Sequence, residues 1–241
     1  MRKNKRNVHP AEFYRMGFRR AQHHQDIYQQ YIHKKGVTPE KQFDLQEGQY
    51  PEIAEQISLR GWKRLSKPRT KISKALVHEF YANAVRTEEE LASGEDYPYT
   101  SFIRGGAETD FKKRQMEDQR SKEVIRDICM PGERWKMSSS QPPDPIQLRR
   151  QHLTVVARGL AEFIIHSMIP KGNKSEITVA RAVLIHSIIK GHDVRVKELI
   201  ADNIAVLAEG VQGRSKLCFL STIYRLCKEA GVPKGEFKDI E

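Results

Sequence analysis

The stretch EITVARAVLIHSIIK, Glu176–Lys190, decides how the chain is read. Ile177, Val179, Val183, Leu184, Ile185, Ile188 and Ile189 leave almost no polar side on a helical wheel, and a helix apolar nearly all round belongs in the middle of a core. Ser175 stands where an N-cap is expected, after the loop Lys171–Lys174. Before that loop, Leu153, Val156, Leu160, Phe163 and Ile164 recur at helical spacing up to Pro170. Downstream, Val196, Leu199, Ile200, Ile204 and Leu207 predict an amphipathic helix ended by Gly210. Leu217, Leu220, Tyr224 and Cys227 predict a last one ended by Gly231 and Pro233. Helices joined this closely predict a bundle.

Upstream the pattern is looser. SSSQPPDP, Ser138–Pro145, reads as a linker. Phe111–Met130 is highly charged and reads as an exposed helix anchored by Val124, Ile125 and Ile128 and ended by Pro131-Gly132. DYPYTSFIR, Asp96–Arg104, is the one stretch that reads as extended. A helix is expected from Ile72 or Ser73 with Leu76, Val77, Phe80 and Ala84 inward, and another over Pro51–Leu65 with Ile53, Ile57 and Trp62 inward. Ala11–His33 carries Tyr14, Phe18, Ala21, Tyr28 and Ile32 on one helical stripe, which Gly36 and Pro39 end. The expected fold is mainly α, a multi-helix bundle-like domain with one short extended or β segment near residues 97–104. Its organisation is a basic helical arm over residues 1–40, a helical domain over 41–235 and a tail over 236–241. No repeat of solenoid period is visible.

The 241 residues carry 42 Lys+Arg against 31 Asp+Glu, a net charge of +11. Residues 151–241 hold 13 basic and 10 acidic side chains, which leaves 29 against 21 in the first 150 residues, so the basicity belongs mainly to the first part. Such a balance suits an acidic partner such as nucleic acid and says nothing about fold. The longest apolar stretches, Phe163–Pro170 and Val179–Ile189, are far short of the ~20 residues that span a bilayer. MRKNKR is basic, but no unbroken apolar run comes after it, so a secretory signal is not expected. Cys129, Cys218 and Cys227 form no C-x-x-C pair, which fits neither a disulfide framework nor a zinc site. An intracellular location, nuclear or cytoplasmic, is the expectation.

Motifs for catalysis are wanting. G-x-x-x-x-G-K-[ST], G-x-G-x-x-G and G-x-S-x-G do not occur. His78-Glu79 begins an H-E-x-x-H match, but Ala82 stands where the second zinc ligand belongs. Asp96, Glu108 and Asp110 read as a solvated charged loop before they read as metal ligands. Cys218 and Cys227 read as small apolar residues on the inner face of the last helix. His166 and His186 read as core histidines with a hydrogen-bond partner. No enzyme activity, metal or cofactor is expected.

The informative polar feature is RGWKRLSKPRTKISK, Arg60–Lys74. Arg60, Lys63, Arg64, Lys67, Arg69, Lys71 and Lys74 are its basic residues, and no acidic residue interrupts them. Such side chains neutralise phosphates, and Trp62 among them has the flat face on which an exposed base stacks. The same residues also read as an indole anchored in the core beside a solvated charged face. With the arm residues Arg2, Lys3, Lys5, Arg6, Arg15, Arg19 and Arg20 they make the candidate nucleic-acid contacts. Either run also has the composition of a nuclear-targeting signal.

At ALVHEFYANA (Ala75–Ala84), SFIRG (Ser101–Gly105) and IPKGNKSEITVARAVLIHSIIKGHDVRV (Ile169–Val196) the chain resembles the putative plant transposon protein family, plant proteins associated with retrotransposons. The likeness continues through LIADNI (Leu199–Ile204) and LCKEAGV (Leu226–Val232) and covers roughly Pro51 to Val232. It implies a transposable-element origin, without a reaction or a catalytic residue set. The combined expectation is a transposon-derived, non-catalytic module that binds DNA or RNA. The alternative is a capsid-like assembly protein that associates with itself, and a transposase or nuclease stands third. Neither a membrane nor a small-molecule substrate is expected as partner.

Overall fold

Residues 21–43, 50–85, 118–170, 174–210 and 212–232 are described by a computed structural model. Among them the helices are α1 (Ala21–Ile27, running into a π turn Tyr28–Ile32), α2 (Pro51–Leu59), α3 (Lys63–Ser66), α4 (Lys74–Ala84) and α5 (Asp118–Ile128). Next come α6 (Val155–Phe163, running into a π turn Ile164–Met168), α7 (Val179–Ile189), α8 (Val196–Glu209) and α9 (Leu220–Glu229). Strands β1 (Lys136–Met137), β2 (Pro145–Arg149) and β3 (Glu176–Thr178) make one small antiparallel sheet in the order β1-β2-β3. The fold is mainly α, as the periodicity predicts. The extended segment expected at 97–104 lies outside the described residues.

Helix starts follow local chemistry. Ser73, Thr154 and Thr178 each cap a helix, their hydroxyls accepting from the backbone N–H of Leu76, Ala157 and Arg181. These satisfy donors that have no partner inside the helix. The cap of α7 is thus Thr178 and not Ser175. Glu176–Thr178, read as the first turn of that helix, instead pairs with β2, Leu148 facing Ile177 and Arg149 facing Glu176. Leu148 and Ile177 are both buried, so the strand pairing covers apolar side chains while the ladder satisfies the backbone. The expected linker 138–145 leads from β1 into β2: Ser138 N–H donates to Asp144 O at 2.7 Å, and Asp144 N–H to Ser138 Oγ at 2.8 Å. The single helix expected over Pro51–Leu65 is two, because Gly61 at φ +67° turns the chain between α2 and α3.

The described chain divides into two units, one within Met1–Pro39, Arg69–Glu95 and Ile204–Glu241, the other within Glu40–Pro68 and Asp96–Asn203. The larger unit is built round α7, on which α5, α6, β2 and β3 pack. Ala182, Ile185 and Ile188 are fully buried, and Arg181 and His186 are almost as deep. α2 lies against α6, where Ile53 Cδ1 approaches Gly159 so closely that a Cβ built there would stand 2.6 Å from it. On α5 two of the expected anchors, Val124 and Ile128, are buried and Ile125 is half-buried, while Lys122 and Arg126 are exposed.

The smaller unit packs α4 on α9 and on α1 with its π turn. Its buried residues on α4 are Val77, His78, Tyr81 and Ala82, whereas Leu76 and Phe80 are half-buried and Ala84 is exposed. The inward face is therefore rotated from the apolar stripe. Tyr81 goes inside with its hydroxyl donating to Cys218 O at 3.1 Å, and His78 lies buried beside it on the next turn, its Nε2 without a hydrogen-bond partner among the described residues. Val37 and Leu217 form a parallel bridge, and Phe219, buried at φ +59°, precedes α9. The last predicted helix packs on α4 within the smaller unit.

The close approach at Gly159 gives a direct test. Gly159→Ala would gain about 1 kcal/mol of helix propensity but overpacks a fully buried contact at ~1–3 kcal/mol, so a net loss of about 1 kcal/mol in urea unfolding is expected. Ile53→Val removes the offending methyl, and the double variant should recover most of the loss contributed by Gly159→Ala.

Candidate nucleic-acid interface

The run Arg60–Lys74 does not act as one piece. Residues through Pro68 belong to the larger unit and those from Arg69 to the smaller. In the larger unit Trp62 is only 8 % exposed, and its ring stacks on Phe163 with centroids 6.2 Å apart. Phe43 meets the same Phe163 ring at 5.3 Å. A base could reach the indole only if the indole left its aromatic neighbours, so in this conformation Trp62 serves as the core anchor. Its burial follows from the spacing Ile53, Ile57 and the turn at Gly61, which brings the ring to the same side as the two isoleucines.

Arg60 has partners within the fold. Its Nε donates to Gln56 Oε1 at 2.9 Å, its Nη2 to His192 O at 2.7 Å, and the guanidinium lies 5.2 Å over the Trp62 ring. The group brackets the end of α2 to the turn after α7 and covers the indole. Lys63, Arg64 and Lys67 beside it are exposed. Ser66 is buried between them, its carbonyl accepting from Phe43 N–H at 3.0 Å. α3 thus fixes its backbone and leaves its cations outward.

In the smaller unit the run alternates the same two tasks. Ile72 and Ser73 are buried, the first as an apolar anchor and the second as the cap of α4. Arg69 and Lys71 are exposed, and Lys74 is half-buried in the first turn of α4. Arg69 N–H donates to Ser221 Oγ at 2.8 Å, and its guanidinium sits 5.5 Å from the Tyr224 ring. Five cations of the run are therefore on the surface, three in one unit and two in the other. The arm residues Arg2, Lys3, Lys5, Arg6, Arg15, Arg19 and Arg20, like Asp96, Glu108 and Asp110, lie outside the described residues.

The titratable groups elsewhere have structural surroundings. Asp127 on α5 is a hub: its Oδ2 accepts from Lys190 Nζ at 2.9 Å and meets His186 Nε2 at 3.0 Å, while Arg126 bonds Oδ1 at 3.1 Å. Lys190 first, with Arg126 and His186, holds its carboxyl well below the usual carboxylate range. His186 is buried as expected, whereas His166 is only half-buried, with Lys174 Nζ 3.5 Å from its ring. Cys129, Cys218 and Cys227 are buried free thiols; burial pushes Cys129 up to about 11 and raises Cys227 too, which suppresses the thiolate. Cys218 precedes α9 rather than lying on it. Among the described residues no three His, Cys, Asp or Glu side chains are placed to share a metal ion, and no helix is long and apolar enough to cross a membrane.

The family described as "Putative plant retrotransposon-related domain" matches residues 58–233, most of the chain, and the protein belongs to it. It is a transposable-element-derived plant protein. No curated protein and no solved structure matches it.

His78 and Glu79 supply a pH test. Burial, then Lys74 and His33, lowers His78 to about 4, and burial raises Glu79 to about 7. The unfolded chain releases the Glu79 proton near 4.5, the folded chain near 7, so stability from this group is full below the lower value and lost as pH rises through the upper. His78 works oppositely: stability present above about 6.5 declines as pH falls toward 4. Glu79→Gln leaves the histidine in both proteins. After allowance for partial exposure it should be about 1–2 kcal/mol more favourable, relative to the parent, at alkaline pH than at acid pH in urea titrations.

Proposed function

We propose that this transposable-element-derived protein is a non-catalytic nucleic-acid-binding module. The observation that supports the reading most directly is the exposure of Lys63, Arg64, Lys67, Arg69 and Lys71 along a stretch without a single carboxylate. The net charge of +11 favours the same partner. Cations on turns and helix ends contact phosphates without reading sequence, so affinity from this run is of the positioning kind. The basic arm adds seven further cations at the level of sequence, Arg2 to Arg20.

Assembly is the second reading. Leu59 and Val155, 73 % and 64 % exposed in the larger unit, are the side chains that would favour it. Scattered apolar residues of this kind are ordinary on a monomer surface, which leaves the charged run as the stronger feature. Concentration-dependent oligomers in light scattering, insensitive to salt, would reverse that order.

The test is a salt titration of affinity for labelled single- and double-stranded DNA and RNA. The fall of log affinity with log salt has a slope of about 0.7 per phosphate contact on single strands and about 0.9 on duplex. Reversing Lys63, Arg64, Arg69 and Lys71 to Glu should flatten that slope by about 3 units and weaken binding at least about tenfold at low salt. An unchanged slope would remove the run from the interface.

A further inference from the structure

A groove in the smaller unit, formed by residues that the basic run does not include, has the chemistry of a nucleotide-unit site. It is bounded on one side by Gln30 and Tyr31 of the first π turn with Lys34 and Lys35 just beyond it, and on the other by the loop that carries Arg214 and Ser215. Its volume is about 320 Å³, at the small end of ligand-sized clefts and open along its length. Among the described residues no carboxylate lines it.

Its two walls are fastened together. Lys35 Nζ donates to Gly213 O at 2.6 Å and to Ser215 O at 3.0 Å, and burial lowers its ammonium pKa. Leu217 N–H donates to Gly36 O at 3.0 Å and Thr38 N–H to Leu217 O at 2.7 Å. Lys35 is therefore spent on geometry. Lys34 and Arg214 are different: both are exposed, and among the described residues neither has a hydrogen-bond or ion-pair partner. The hydroxyl of Ser215 and the Tyr31 ring are likewise uncommitted among the described residues. Two uncompensated cations of opposite walls, one half-exposed aromatic ring and a free hydroxyl stand round a groove already held in shape, so binding would cost little ordering of the backbone.

That combination selects one ligand chemistry. A phosphodiester satisfies the two cations, Arg214 with the fork geometry that suits phosphate oxygens. A neighbouring base, if unpaired, has a π face for Tyr31. In a duplex the base faces are stacked inside and unavailable, so the ring discriminates for single strands. An open groove without a glycine-rich phosphate loop suits a strand lying across it rather than an enclosed nucleotide. We propose that the groove between Tyr31–Lys34 and Arg214–Ser215 binds one nucleotide unit of single-stranded nucleic acid, phosphate on Lys34 and Arg214 and base on Tyr31. The proposal rests on the nucleic-acid reading and adds to it a second contact region and a preference for unpaired strands.

The experiment uses the full chain and fluorescence anisotropy with three labelled probes: oligouridylate, the same backbone without bases, and a duplex. Lys34→Gln with Arg214→Gln should weaken oligouridylate binding about tenfold and flatten its salt slope by about 1.4 units, two contacts' worth. Tyr31→Ala should weaken oligouridylate binding about fivefold or more, leave the abasic strand and the duplex unchanged, and be restored by Tyr31→Phe. These side chains lie at the surface rim, and circular dichroism of each variant verifies its fold. Unchanged oligouridylate binding in the Gln double variant, with binding lost on reversal of Lys63, Arg64, Arg69 and Lys71, would overturn the groove and leave the general reading standing. Equal loss on strands with and without bases in Tyr31→Ala would overturn the stacking assignment. Failure of the parent chain to bind any probe at low salt would overturn both readings.

Discussion

A helix with no polar side must be covered in every direction, and in this protein α7 sets that demand. α5, α6 and strands β2 and β3 all pack on it, and each is recruited from a different part of the sequence. Burying each aliphatic side chain is worth roughly 1.5–3 kcal/mol, so a helix with Ala182, Val183, Leu184, Ile185 and Ile188 inside outweighs the propensities of its neighbours. Two polar residues that this packing carries inward or to its edge, His186 and Lys190, are accommodated by Asp127 from α5, while Arg181 is a third buried polar side chain on the helix. A buried imidazole without such a partner would bear its own desolvation, and the shared carboxylate also ties α5 to α7 at a fixed register.

The same demand explains how Arg60–Lys74 is divided between structure and surface. Every residue in it that could close an apolar gap or end a helix does so: Trp62 on Phe163, Ser66 and Ile72 buried, Ser73 as a cap, Arg60 as a bracket over the indole. Left outside are Lys63, Arg64, Lys67, Arg69 and Lys71, long side chains that can keep their charged ends in water while their backbone is fixed. The stretch is thus exposed charge on a tightly held chain. That arrangement suits phosphate contact, because the loops need not be ordered at the moment of binding.

Much was legible from periodicity. α8 ends before Gly210, α6 with its π turn ends at Met168 just before Pro170, and the burial of Ile53, Ile57 and Trp62 follows their spacing. Periodicity misleads where a polar side chain finds a partner far along the chain. On α4 it selects Val77, which is buried, but also Leu76, Phe80 and Ala84, which are not, whereas Tyr81 goes inside with its hydroxyl on the carbonyl of Cys218, 137 positions away. The groove at Lys34 and Arg214 was illegible for the same reason: its walls are about 180 positions apart and are joined by Lys35 with Gly213 and Ser215 and by Gly36 and Thr38 with Leu217. The one local signal was a tyrosine with two lysines close after it at a helix end, opposite a Gly-Arg-Ser loop.

Whatever depends on neighbours within a turn or two was set along the chain before it folded. This covers the mainly helical class, the apolar core helix, the chain breaks at glycine and proline, and the positive balance of the first part. Packing between distant segments, in contrast, made Glu176–Thr178 a strand, laid α9 on α4 and left certain cations unengaged. Local preference among these alternatives amounts to tenths of a kcal/mol up to about 1, while burial of one large side chain or one satisfied buried hydrogen bond is worth as much or more. Where the two conflict, the long-range partner wins, and that partner is invisible until the chain has folded.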